Sequence, residues 1–236
     1  MTIREFLTNL TIILAVMGGA ATLEILVPMF ADRPWRRGRR AANLELTALS
    51  FVSNWMLASA AAVAALTWRP AGMLAPRGLP FWAEVLVGVL VLDFSVGYLS
   101  HRTMHIWPFM WRFHEVPHSD TFVDVTTTYR THPAETVWRF LFAIVPIWLL
   151  GLPTEALLIQ RLLQASNGVV EHANIRLRPS LDRVLSLVWV TPNVHKIHHS
   201  RQVSETNSNY ANANLLTIYD RLRGTYTPAA RAHTAV

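Results

Sequence analysis

LTALSFVSNWMLASAAAVAALTW, residues 46–68, carries no ionisable side chain. At about 1.5 Å per helical residue, the run is long enough to cross a hydrocarbon core of about 30 Å with some tilt. It decides for a helical membrane protein, because a helix satisfies its own backbone polar groups where no water is present. Phe6–Leu23 is a second apolar run, continuing past Glu24 to Phe30. It is too long for the apolar core of a secretory signal, and small residues mark no clear cleavage site before Glu24, so it is expected to be a retained helix.

Working outward, Phe81–Ser100 is a third run, interrupted by Glu84 and Asp93. Phe140–Thr154 is uncharged but short, and Ala156–Val170 continues in apolar style with Arg161 inside it. Gly151-Leu152-Pro153 between them reads as the turn of a hairpin that enters the bilayer and returns; the competing reading is a buried core helix. The expectation is an all-α integral membrane bundle of about four spanning helices, the hairpin included. Composition agrees: 52% of residues are hydrophobic and 15% charged, against about 25% charged in soluble domains.

The net charge of +6 and pI near 10.5 would suit nucleic acid, but the charge is not placed for it. Arg33, Arg36, Arg37, Arg39 and Arg40 fall in the short connection between the first two runs, where the positive-inside rule expects a cytoplasmic loop. Anionic lipid headgroups are a compatible partner for that loop. No nucleic-acid-reading motif is present, so nucleic acid is not expected as a partner.

If residues 32–43 are cytoplasmic, the third run returns to the cytoplasm near Ser100, and a hairpin over 138–170 returns to the side it left. This topology matters because nine of the ten histidines lie between residues 101 and 199. All of them then face the cytoplasm, whereas a single crossing at 138–170 would split them between compartments.

Their spacing is that of ligands. His101 and His105 stand four apart in HRTMH, and His114 and His118 in HEVPH. His195, His198 and His199 form HKIHH, with His132 and His172 between the clusters. Spacings of three and four bring two rings to one helix face. Thr191-Pro192 reads as an N-cap followed by proline at the first helical position, and that helix is expected to carry His195, His198 and His199 on one face. Pro108 is expected to break the chain between His105 and His114, since nine further residues of helix would turn the two pairs to opposite sides. Cysteine is absent, so any metal is held by nitrogen and oxygen. Eight or nine imidazoles exceed the three or four of a zinc site and suit two metals. The HExxH pattern of zinc proteases is missing.

Read in series, these segments resemble the fatty acid hydroxylase superfamily, the sterol desaturase-like integral-membrane di-iron oxygenases. The matching text is DFSVGYLSHRTMHIWPFMWRFHEVPHS (93–119), YRTHPAE (129–135), EHANI (171–175), VTPNVHKIHHS (190–200) and NSNYANANLLTIYDRLRGTY (207–226). The resemblance divides the chain into N-terminal transmembrane helices with a basic loop (1–80), a hydroxylase-like domain (81–228) and a polar tail (229–236). It implies a cytoplasmic helical cap holding two iron ions, which zinc can replace in a purified sample. The ligands it implies are His101, His105, His114, His118, His172, His195, His198 and His199. His132 and Glu115 are further candidates as ligands or supports, and Arg102, Asn174, Asn209, Tyr210 and Asp220 match positions that orient ligands by hydrogen bonds.

The sequence departs from the family pattern at Pro117, where a histidine is usual, and at Asn207, Ala211 and Arg223. The implied activity is O2-dependent hydroxylation or desaturation of an unactivated C–H bond in a lipid that enters from the bilayer, with Trp107, Phe109, Trp111 and Phe113 along its route. A separate reductase or electron carrier is implied, because no dinucleotide-binding glycine loop, haem motif or cysteine is present. The expected location is a bacterial inner membrane, with the endoplasmic reticulum as the alternative. A non-catalytic protein with a structural metal nest and a membrane metallohydrolase are the competing functional readings.

Overall fold

The computed structural model describes residues 3–31, 38–67, 78–211 and 216–228. Arg33, Arg36 and Arg37, most of the 69–80 connection and the 229–236 tail lie outside them. The chain is helical, and two isolated bridges, Pro28 with Ile175 and Trp189 with Leu216, are the β-pairings among the described residues. The helices are α1 (Ile3–Leu26), α2 (Gly38–Thr67), α3 (Phe81–Leu92), α4 (Ser100–Ile106), α5 (Pro108–His118), α6 (Pro133–Leu150), α7 (Thr154–His172), α8 (Pro179–Leu185), α9 (Pro192–His198), α10 (Val203–Thr206) and α11 (Ile218–Arg223).

Three spans among the described residues are long and apolar enough to cross a membrane: Phe6–Leu26, Phe81–Ile106 and Pro133–Leu150. The protein is therefore integral to the membrane. Residues 46–67 of the uncharged run lie within α2, 30 residues long, which is not among these three spans. The expected turn at Gly151-Leu152-Pro153 joins α6 and α7, and α6 begins earlier than the apolar pattern suggested. Gly151 turns it in the left-handed conformation (φ 62°), which glycine adopts without steric cost. The two arms differ. Pro133–Leu150 qualifies as a span, whereas α7 carries Glu155, Gln160, Arg161, Gln164, Asn167 and Glu171.

The third run is also longer than expected. Phe81–Ile106 is continuous, with α3 and α4 joined by a π-helical segment, Asp93–Leu99. Such a segment winds less per residue than an α-helix and re-phases the faces on either side; π turns are frequent at functional sites. Beneath it α3 meets α7 closely. A Cβ on Gly88 would lie 2.6 Å from that of Ala156, the small-residue contact that lets membrane helices approach. Val89, Leu92, Val96, Ala143, Leu152 and Ala156 form the core there.

One end of the bundle gathers five helix termini. At the exit of α1, Glu24 accepts from the amides of Val125 and Asn174, both at 2.7 Å. At the start of α2, Arg39 pairs with Asp120 at 2.9 Å and also with Asp124. The starts of α4 and α6 and the end of α7 lie at the same level, because His101, Glu135 and His172 line one cleft.

Candidate metal centre

Local sequence delivers each histidine to that end. Trp107 is extended (φ −101°, ψ 109°) and Pro108 restarts the chain as α5, since proline lacks the amide needed to continue α4 and pre-sets φ for a new helix. The expected break is thus present, and α5 folds back until the His101 and His114 rings are 4.7 Å apart. Thr191 accepts from the amide of Val194, with Pro192 at the first helical position, so α9 starts where the sequence indicated.

The eight histidines assemble in two groups. His101, His105, His114, His118 and His198 form one, and His172, His195 and His199 form the other; within each group the candidate donor atoms lie within 4.8 Å of one another. The expected shared face of α9 is divided: His198 turns to the first group, while His195 and His199 join His172. The two groups touch through His118 and His199, whose rings stack at 4.4 Å.

The donor set fits metal. Both ring nitrogens of His118 and His195 lack a hydrogen-bond partner, as do His198 Nε2 and His199 Nδ1. A buried polar atom left so costs about 1–3 kcal/mol, and bound metal would satisfy these. The other nitrogens are anchored in the manner that metal ligands require. Nδ1 of His101 donates to Tyr210 O (2.9 Å), that of His198 to Ser208 O (2.7 Å) and that of His172 to Gly168 O (2.7 Å). His114 Nδ1 donates to Glu135 at 2.9 Å, and Arg139 donates to the other oxygen of that carboxylate at 3.0 Å.

His101 Nε2 and His114 Nε2 approach to 2.8 Å, close to the ~3 Å between two nitrogens bound at right angles to one ion at about 2.1 Å. Burial pushes the imidazoles of His118, His195 and His199 well below their ordinary range and that of His198 down to about 3, with neighbouring histidines adding to the effect. They are neutral at physiological pH, the form that binds metal. A small cleft opens between the groups, bordered by His101, His114 and His118, by His172 and His199, and by Pro117, Glu135 and Arg139.

Residues 85–225, more than half of the chain, match the sequence profile of the fatty acid hydroxylase family. The chain belongs to that family. This fatty acid hydroxylase family member is 32% identical over 151 residues to the ornithine lipid hydroxylase OlsE of Rhizobium tropici, covering 64% of this chain and 44% of the relative. It is 30% identical over 139 residues to the alkylglycerol monooxygenase of Danio rerio (58% and 29%). With that of Caenorhabditis elegans it shares 24% over 131 residues (55% and 24%). It spans less than half the length of these relatives. No solved structure matches it.

The other residues singled out in this family member divide into supports and bystanders. Asp220 accepts from the amides of Tyr210 (2.8 Å) and Ala211 (2.6 Å) and from Thr225 Oγ1 (2.6 Å), fixing the backbone that holds His101. Burial raises its carboxyl to about 6, opposed by those hydrogen bonds. Asn209, at φ 52°, donates to Val194 O of α9 at 3.3 Å and accepts from Thr227 N at 2.8 Å. Asn174 ties the exit of α1 to α7, exchanging two hydrogen bonds with Phe30 (2.9 and 2.8 Å).

Arg102 sits near Tyr210 and Asp220, and its charge favours the ionised carboxylate of Asp220. His132 caps α6, its Nδ1 accepting from Ala134 N at 3.1 Å, and packs on Phe113; it belongs to neither group. Glu115 is exposed on α5 and joins neither group. Of the aromatic residues, Trp111 packs on His105 and His118 (5.1 and 5.3 Å), while Trp107 and Phe109 face outward. Glu135 was missed by the sequence reading. Its signal was a lone carboxylate closing YRTHPAE at the head of an apolar run.

Proposed function

We propose that this protein is a membrane-bound di-iron oxygenase that hydroxylates an unactivated C–H bond of a lipid. The observation that carries the reading is the pair of touching histidine groups, five and three, whose unpartnered nitrogens converge beside one cleft. His101, His105, His114, His118 and His198 would hold one iron, and His172, His195 and His199 the other. Bound iron supplies O2 activation and oxygen insertion into the C–H bond.

The chain's own residues do the rest. Glu135 fixes the His114 ring and, through Arg139, stays paired. Tyr210, Ser208 and Gly168 carbonyls fix three more rings. The buried imidazoles keep bulk water from the metals. The cleft bordered by both groups and by Pro117 would receive the lipid's C–H bond. Both kinds of relative are named for lipid hydroxylation or monooxygenation, which supports hydroxylation over desaturation.

The substrate arrives from the bilayer, and electrons come from a separate carrier. The histidine end carries Arg39 and Arg40, supporting a cytoplasmic orientation in a bacterial inner membrane. Residues 1–80 serve as anchor and 81–228 as the oxygenase domain. Metal analysis of purified protein, with O2 uptake in the presence of a reductant and membrane lipid, tests this. Two irons per chain and lipid-dependent uptake are expected. Protein holding one inert zinc, without uptake, would overturn it.

A further inference from the structure

The segment joining His172 to His195 presents apolar side chains that the bundle leaves uncovered. Leu181, Val184, Leu187 and Val188 of α8 and the turn after it are exposed, Val184 at 64%. α11 extends the same surface, for Thr217 N donates to Val188 O at 2.8 Å and Arg221 to Ser186 O at 2.8 Å. It adds Ile218 and Leu222, the latter 77% exposed. A continuous apolar patch of this kind marks an interaction surface.

Two contacts place the patch at the membrane. The bridge of Pro28 with Ile175 sets the approach to α8 directly beyond Leu26, where a spanning helix ends. On the other flank, Tyr219 Oη of α11 donates to Leu90 O at 3.3 Å, and its ring packs on Phe94 at 5.2 Å, both partners lying inside the span Phe81–Ile106. The charges are one-sided. Arg176, Arg178, Arg183, Arg221 and Arg223 are exposed, while the two acids of these segments, Asp182 and Asp220, are buried.

We infer that α8, its following turn and α11 form a seat in the membrane interface, with the apolar side chains among acyl chains and the arginines on anionic lipid headgroups. Apolar area in the interface and basic residues at headgroup level act together in such seats. The seat holds the loop between two ligands of the three-histidine group against lipid, independently of which metal binds.

The absence of cysteine gives a direct test. Val184→Cys and Leu222→Cys, each carrying an environment-sensitive dye, are placed in nanodiscs of phosphatidylcholine with and without phosphatidylglycerol. Lipids spin-labelled near the headgroup should quench both dyes, and aqueous iodide should not. Dyes open to iodide in the disc would overturn the seat and leave a soluble partner as the occupant of this face. Arg178, Arg183 and Arg223 changed together to Gln should lower retention of phosphatidylglycerol in native mass spectra by roughly fivefold per arginine. Unchanged retention would overturn the anionic preference.

Discussion

Glu135 accepts the Nδ1 hydrogen of His114 at 2.9 Å, with both side chains buried and a turn of α6 supplying Arg139 to the same carboxylate. The carboxylate orients the ring and makes its other nitrogen a better donor. Glu135→Gln should lower metal affinity by about 10–100-fold, read by competition with a chelator followed by metal analysis. Unaltered affinity would show that His114 is not a ligand.

His198 donates Nδ1 to Ser208 O and leaves Nε2 unpartnered at the centre of the five-histidine group. His198→Ala should empty that group while the spans still insert into membranes. His233 lies in the polar tail of the sequence, outside the described residues and outside the histidine boxes, and His233→Ala should leave metal content unchanged. Metal content and membrane fractionation of the two variants check the contrast.

Burial holds His198 near about 3 and pushes His118, His195 and His199 well below the ordinary imidazole range. Unfolded, each titrates near ~6.5. Between those values the unfolded chain binds more protons, so this stability is present above ~6.5 and is lost as pH falls toward about 3. The melting temperature of metal-free protein in detergent should fall steadily from about pH 7 to about pH 5. A flat profile would contradict neutral, buried imidazoles.

Asp220 gathers two amides and a hydroxyl behind His101. Asp220→Ala strands those donors and should cost roughly 1–3 kcal/mol of stability, with some loss of metal because Tyr210 O no longer holds His101. Denaturation and metal content measured on the same sample should move together.

Much of this was legible in the sequence because the signals are local. Apolar length marked α1 and the run from Phe81, Pro108 and Thr191-Pro192 marked helix boundaries, and four-residue spacings marked histidine pairs that fall in one group. The partition of His195, His198 and His199 was not legible, because it depends on where α4, α5 and α7 approach α9. Nor was the π-helical segment, since Asp93–Leu99 differs from α-helix only in hydrogen-bond register. Glu135 and Glu115 show the same limit. Adjacency to a ligand in sequence put Glu115 on solvent, and tertiary packing brought Glu135 to His114.

Pro117 borders the cleft between the two groups and has no side-chain donor. Pro117→His places an imidazole at the cleft between the groups and should raise metal retention during dialysis against chelator. Equal retention would show that the position is not within reach of the metal.

The central claim is that the two histidine groups insert oxygen from O2 into a lipid. The most direct measurement supplies isotopically heavy O2 to iron-loaded protein in nanodiscs with a reductant and native lipid extract, then reads hydroxylated lipids by mass spectrometry. The account predicts heavy oxygen in the new hydroxyl group and none with His198→Ala. A product whose new oxygen comes only from water would contradict it and point to hydrolysis.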